Sequence, residues 1–190
     1  MARHKEFEIS EVLDQAIHLF WEQGYEKTSM QELVEHMGIH RRSIYDTFGD
    51  KHALFMEALK RYSDIQNKKL VALVAKKEAV YPSLQRFLEI TLEKENEPQG
   101  CFMVNSGVEL GVLDSEVASF IEKAYDQTEE LLYELIVHGQ QKGEVSKSLD
   151  ARELSYHFMN AWLGLRTMAK TATNKDKISS IIRNALRVLE

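Results

Sequence analysis

Two prolines, Pro82 and Pro98, are all that a chain of 190 residues contains. Proline removes a backbone donor and breaks helix interiors, so its scarcity leaves long stretches free to run as helix. Several of the nine glycines fall between segments whose apolar residues recur at three- and four-residue spacing, the pattern of amphipathic helices punctuated by turns. The chain therefore reads as all-α, with about nine helices. They fall near 8–23, 29–37, 40–48, 51–76, 82–92, 101–111, 115–141, 151–172 and 176–190.

The most informative local pattern is TSMQELVEHMGIHRRSIYDTFGDK, from Thr28 to Lys51. Ser29 is a natural N-cap, and Glu32 three residues on can complete a capping box. Leu33 and Met37 lie one turn apart on the helix that follows, and Gly38 stands where a left-handed residue is needed to stop it. A second short helix starts near His40, with Ile44 and Phe48 on its inner face. Arg42 and Asp46 then lie opposite, flanked by Ser43 and Tyr45. Two short helices joined by a tight turn, the second offering Arg, Ser and Tyr outward, suit a DNA major groove. The helix before them, with Val12, Leu13, Ala16, Leu19 and Phe20 inward and Gly24 at its end, completes a three-helix unit. Asp50 caps a long helix from Lys51 to about Lys76, long enough to join two domains.

Charge restricts how such a unit can bind. The chain carries 24 basic and 30 acidic residues, a net charge of −6. Residues 1–52 alone hold six basic and ten acidic side chains. Bulk charge therefore gives little of the phosphate neutralisation behind non-specific DNA affinity. The positive charge is local: Arg3, His4 and Lys5, then His40, Arg41, Arg42 and Lys51. One cysteine, Cys101, excludes an internal disulfide and fits a reducing cytosol. No signal-peptide core and no run near the length of a membrane helix is present. The expected location is the cytoplasm, with no membrane partner.

The first fifty residues resemble the tetracycline-repressor (TetR) family of bacterial transcription regulators. The matching residues are Ala16, Leu19-Phe20, Gly24-Tyr25, Thr28-Ser29, Gly38, Ile44-Tyr45, Phe48 and Lys51-xx-Leu54. SIYDTFGDKHAL carries the family's Tyr-xx-Phe-xx-Lys-xx-Leu spacing, and GCFMVNSGVELG is similar to a segment found in one branch. The resemblance implies an N-terminal helix–turn–helix domain (1–50) joined by a long helix to a C-terminal effector-binding and dimerisation domain (51–190). It implies a homodimer on a palindromic double-stranded operator, released when a small molecule fills the C-terminal domain. Carried over, Ser29, His40, Arg41, Arg42, Ser43, Tyr45, Thr47 and Lys51 are the expected DNA contacts. The chain departs from the family at His40, where Ser or Thr is usual, at Arg41-Arg42, where Lys-Gly is common, at Asp46, which faces the groove, and around Ile9, where the common basic residue is absent.

The C-terminal segments hold large apolar residues with a few polar ones among them, the usual make-up of a small-molecule site. Cys101, Met103, Asn105, Glu109 and Trp162 are the candidate effector residues. Asn105 and Glu109 are four apart and so share a face. Cys101, near a helix start, is either inert core or a thiolate sensor through which oxidants or electrophiles release DNA. The last two helices have stripes too wide for one solvent-facing helix. Ala161, Leu165, Ile181 and Leu186 are the candidate contacts of a four-helix dimer bundle. The alternative is an all-α protein–protein interaction module. No metal site, cofactor or catalytic residue is expected: there is no His-Glu-xx-His, no phosphate-binding glycine loop and no nucleophile elbow. Four acid–histidine pairs at four-residue spacing, Asp14/His18, Glu32/His36, Glu134/His138 and Glu153/His157, read as surface ion pairs.

Overall fold

The computed structural model describes residues 8–76, 78–90, 100–171 and 174–189. Among them are nine α-helices and no strand. The N-terminal unit is α1 (Ile9–Gln23), α2 (Met30–Met37) and α3 (Arg41–Phe48). The turns between them follow from local chemistry. Gly24, at φ +89°, ends α1, and the Thr28 hydroxyl donates to its carbonyl at 2.6 Å. Ser29 and Glu32 form the full capping box, and Gly38 closes α2 in the left-handed region at φ +65°. α1 buries Ile17 and Trp21 in addition to its expected stripe, because it is gripped from more than one side.

Asp50 caps α4 (Lys51–Ala75), accepting from the Ala53 N–H at 2.8 Å. Its 25 residues span about 37 Å at 1.5 Å each. α5 (Val80–Glu89) carries Pro82 in its first turn, where the missing N–H costs no helical bond. The expected continuation through Thr91 and Leu92 lies outside the described residues. α6 (Phe102–Leu110) and α7 (Ser115–Lys142) follow, the latter capped by Asp114, which accepts from the Glu116 and Val117 N–H groups. α8 (Ala151–Met168) stops short of the expected 172, and α9 (Lys175–Leu186) runs into a 3₁₀ turn at Arg187–Leu189.

Two apolar clusters form the core. One joins α1, α2, α3 and the first half of α4 to Cys101, Phe102, Met103 and Leu110 of the α6 segment and to Val117 and Ile121 of α7. The other joins the second half of α4 to α5, the rest of α7, α8 and α9. α4 and α7 thus run through both, and α6 packs with the helix–turn–helix unit. Polar contacts tie the same elements together. Arg61 of α4 makes a two-pronged ion pair with Asp14 of α1, both bonds 2.7 Å. His52 Nε2 lies 2.7 Å from the Asp114 carboxylate.

Three of the four expected acid–histidine pairs, those of Asp14, Glu32 and Glu153, are replaced by contacts between helices and with the backbone. Asp14 takes Arg61, Glu32 takes the Ser29 N–H, and His36 stacks on His18 with ring centres 5.8 Å apart. His157 Nε2 meets the Ala185 carbonyl at 2.9 Å. A four-residue spacing offers a pair only a few tenths of a kcal/mol, which a better-placed neighbour readily exceeds.

Candidate functional site

α3 buries Ile44 and leaves Arg41, Arg42, Tyr45 and Asp46 exposed, with Ser43 and Thr47 half-buried beside them. His40 caps the helix through its backbone alone. The Arg41 guanidinium reaches back over Tyr45, with Nη2 donating to the hydroxyl at 3.4 Å. Arg42 Nε lies 3.5 Å from the Asp46 carboxylate, with side chains 89% and 70% exposed. Asp46 therefore faces outward as expected but beside Arg42, leaving the terminal amines of that guanidinium for another acceptor.

Ser29 and Lys51 flank this helix. The Ser29 hydroxyl accepts from the Glu32 N–H at 3.2 Å, and its own proton remains available to donate. The Ser29 N–H, donating to the Glu32 carboxylate at 2.8 Å, and then the Ser29 side chain hold that carboxyl below the usual carboxylate range. Lys51 opens α4, where the helix dipole adds positive potential. Its ammonium sits 4.2 Å from the centre of the Tyr25 ring, so an aromatic face steers it. The sequence marks Tyr25 only through the Gly24-Tyr25 pair, and no local spacing reveals this role. Arg3, His4 and Lys5 lie outside the described residues.

The second group gathers around Cys101, which caps α6 by its backbone and is 1% exposed. Arg166 Nη1 of α8 donates to its sulfur at 2.8 Å, and the Tyr62 hydroxyl lies 3.7 Å from it. Arg166 Nη2 donates to Gln66 Oε1 of α4 at 3.2 Å. The guanidinium carbon stands 3.8 Å from the centre of the Trp162 ring, and Phe87 stacks on that ring at 4.9 Å. Burial pushes the Tyr62 and Tyr125 hydroxyls well above their ordinary value, and the charges around Cys101 and Arg166 act on both. A cavity of about 30 Å³ opens here between α4, α7 and α8, with Met103, Gln66, Tyr125, Thr128, Trp162 and Arg166 in its wall. Cys101, Met103 and Trp162 thus come together. Arg166 and Gln66 escaped sequence reasoning because their partners lie 65 and 100 residues away.

Glu109 does not join them, which corrects its expected place. Its carboxylate accepts from the Tyr25 N–H at 3.0 Å and the Glu26 N–H at 2.9 Å. Two backbone donors at the α1–α2 turn thus satisfy the carboxylate that was a candidate for the effector. Asn105 is half-buried on α6, outside that cavity's wall.

Two of the four candidate dimer contacts also need correction. Leu165 and Leu186 are each 1% exposed within the chain's own core. Ala161 and Ile181 are half-buried at its edge, and the outer face of α8 presents Tyr156, Asn160 and Gly164. No group of three or more metal-ligating side chains occurs among the described residues. None of their helices is long and apolar enough to cross a membrane.

Comparison with known proteins extends these observations. Residues 12–58 match the family model described as bacterial regulatory proteins, tetR family. Residues 82–185 match that of the tetracyclin repressor-like C-terminal domain. The chain is 33% identical over 195 residues to the uncharacterized HTH-type transcriptional regulator YezE of Bacillus subtilis (strain 168), covering 100% of both. It is 28% identical to the HTH-type transcriptional repressor ComR of Escherichia coli (strain K12), covering 98% of this chain and 90% of that one. Among solved structures, a cysteine mutant of the TetR family regulator CifR, complexed with 26-bp double-strand operator DNA, matches with a TM-score of 0.89. Identity there is 23%, with 100% of both chains covered. The reduced form of E. coli NemR matches at 0.84 with 18% identity, covering 95% of this chain and 96% of that one. At those identities the likeness is one of fold.

Proposed function

The chain belongs to the tetR family of bacterial regulatory proteins, and from that premise we propose that it is a repressor released from its operator by a small effector. It is a DNA-binding transcriptional regulator. The single observation that carries the detailed reading is the outer face of α3, where Arg41, Arg42 and Tyr45 stand exposed on a helix anchored by Ile44. Arg42 reads a base edge, and Arg41, Ser43, Tyr45 and Thr47 supply base or backbone contacts. Ser29, His40 and Lys51 hold phosphates. The protein acts in the cytoplasm as a homodimer on a palindromic site, with its two recognition helices about 34–36 Å apart.

The effector site is the α4–α7–α8 cavity together with Cys101. The Arg166 donor holds the Cys101 sulfur in one place beside the cavity, and this sulfur is the atom on which an oxidant or electrophile would act. Relatives of the same fold solved in a reduced form and as a cysteine mutant accord with a response to such reagents. Because Cys101 is buried, such a reagent has to be small. A modified sulfur no longer fits beneath Arg166, and the strain reaches α4 through Gln66. An effector needs to favour the non-binding state by only about 1–3 kcal/mol.

The test is selection of bound duplexes from a random pool, followed by anisotropy titration over a range of salt. Log affinity should fall linearly with log salt. A flat salt response, or no enriched sequence, refutes the operator reading. Repeating the titration with an electrophile on wild type and on Cys101→Ser tests the sensor separately. A serine variant that still releases DNA normally removes Cys101 from the mechanism.

A further inference from the structure

Two residues that line the cavity between α4, α7 and α8 each carry a buried donor with no hydrogen-bond partner among the described residues. Arg166 is 3% exposed. Its Nη1 and Nη2 reach Cys101 and Gln66, but its Nε is buried with no hydrogen-bond partner among the described residues. Trp162, also 3% exposed, has its Nε1 in the same condition. Both residues line the cavity, whose wall contains no Asp or Glu. The indole ring lies against the guanidinium, which steadies a cation without neutralising it. A buried cation with idle donors and no carboxylate beside it is an arrangement that an anion completes.

We propose that the effector of this cavity is a small organic anion, a carboxylate or equivalent oxyanion, whose oxygens accept from Arg166 and Trp162. The inference rests on the reading of this cavity as the effector site and names the class of a reversible ligand, distinct from the reagent that meets Cys101. Size agrees with it. A cavity of about 30 Å³ has room for about two waters, which is the scale of a carboxylate head. A larger organic body has to push α4 away from α7. The tyrosine lining the cavity, Tyr125, keeps its proton, so it adds no competing negative charge. Occupancy also draws Arg166 away from Gln66, and Gln66 lies on the helix that begins at Lys51.

The experiment uses the full chain with acetate, propionate, butyrate and benzoate, each paired with its neutral amide. Ionic strength is held constant because duplex binding itself falls with salt. Thermal unfolding and operator anisotropy are read on the same samples. At least one carboxylate should raise the unfolding midpoint and weaken operator binding about ten-fold or more, while its amide does neither. Trp162→Phe keeps an aromatic ring but deletes the donor and part of the buried indole, so the ligand-free midpoint should fall and carboxylate affinity, measured against that lower baseline, should fall about five- to ten-fold. Arg166→Gln should abolish the response. Amides acting as well as carboxylates, or no carboxylate acting at about 10 mM, a level typical of very weak ligands, overturns the proposal and leaves the donors to buried water. Failure to bind any duplex before carboxylate is added refutes the operator reading instead. Normal operator binding that carboxylates leave unchanged sinks the anion alone.

Discussion

Arg42 projects its guanidinium almost wholly into solvent, with its Nε 3.5 Å from the Asp46 carboxylate. An exposed pair of this kind contributes little to stability, so its value lies in aiming the two terminal amines. Arg42→Ala should therefore weaken operator binding by about 1–3 kcal/mol, the usual worth of an arginine–guanine contact, and leave the unfolding midpoint unchanged. Anisotropy and thermal melts on one preparation check both halves. Gly24 shows a different residue-scale constraint. Its φ of +89° disfavours any side chain, and an added Cβ would sit 2.8 Å from Glu109 Oε2. Gly24→Ala should cost about 1–3 kcal/mol, seen as a lower denaturant midpoint. Relief by swinging Glu109 away would break its bonds to Tyr25 and Glu26.

α6 and the start of α7 are the elements that connect the two clusters. α6 begins beneath Arg166 at Cys101 and ends with Glu109 on the α1–α2 turn, so a shift at one end is felt at the other. The next link is Asp114, which caps α7 and faces His52 of α4. Its carboxyl is held below the usual range by the Val117 N–H first, then by the His52 side chain and the Glu116 N–H, against the opposing effect of burial. A carboxyl depressed in the folded state stabilises above its unfolded value and loses that contribution as pH falls through the folded value. The loss therefore opens below about pH 4, the ordinary aspartate range. Asp114→Asn keeps an oxygen for the cap but removes the titration. Urea midpoints followed with pH should then fall less steeply below about pH 4 than in wild type. Identical slopes would remove Asp114 from the acid response.

For the whole molecule, assembly decides whether two recognition helices meet one operator. The outer face of α8 carries Tyr156, Asn160 and Gly164 at four-residue intervals, and a Cβ at Gly164 meets open space within the protomer. In an isolated chain, replacing this glycine should help the helix, since glycine costs about 1 kcal/mol there. If α8 packs on its copy as proposed, Gly164→Trp should instead shift the protein to monomer in sedimentation velocity and lower operator affinity. A stable dimer in that variant moves the interface elsewhere.

Contacts between near neighbours were legible in the chain alone. The Ser29–Glu32 box, the Gly38 stop, the Asp50 cap and the burial of Ile44 each depend on residues three or four positions apart, whose separation a helix dictates. The exposed arginines of α3 follow from the same periodicity. Periodicity places Asn105 and Glu109 on one face but does not say what that face meets, so Glu109 reads as an effector ligand when it holds the α1–α2 turn. Leu165 and Leu186 fail as interface residues for the same reason: an apolar stripe does not distinguish its own core from a partner's. Arg166 under Cys101, Lys51 over Tyr25 and Asp114 beside His52 all join residues distant in sequence. Only the packing of helices against one another decides such pairs, because no local spacing carries the distance between them.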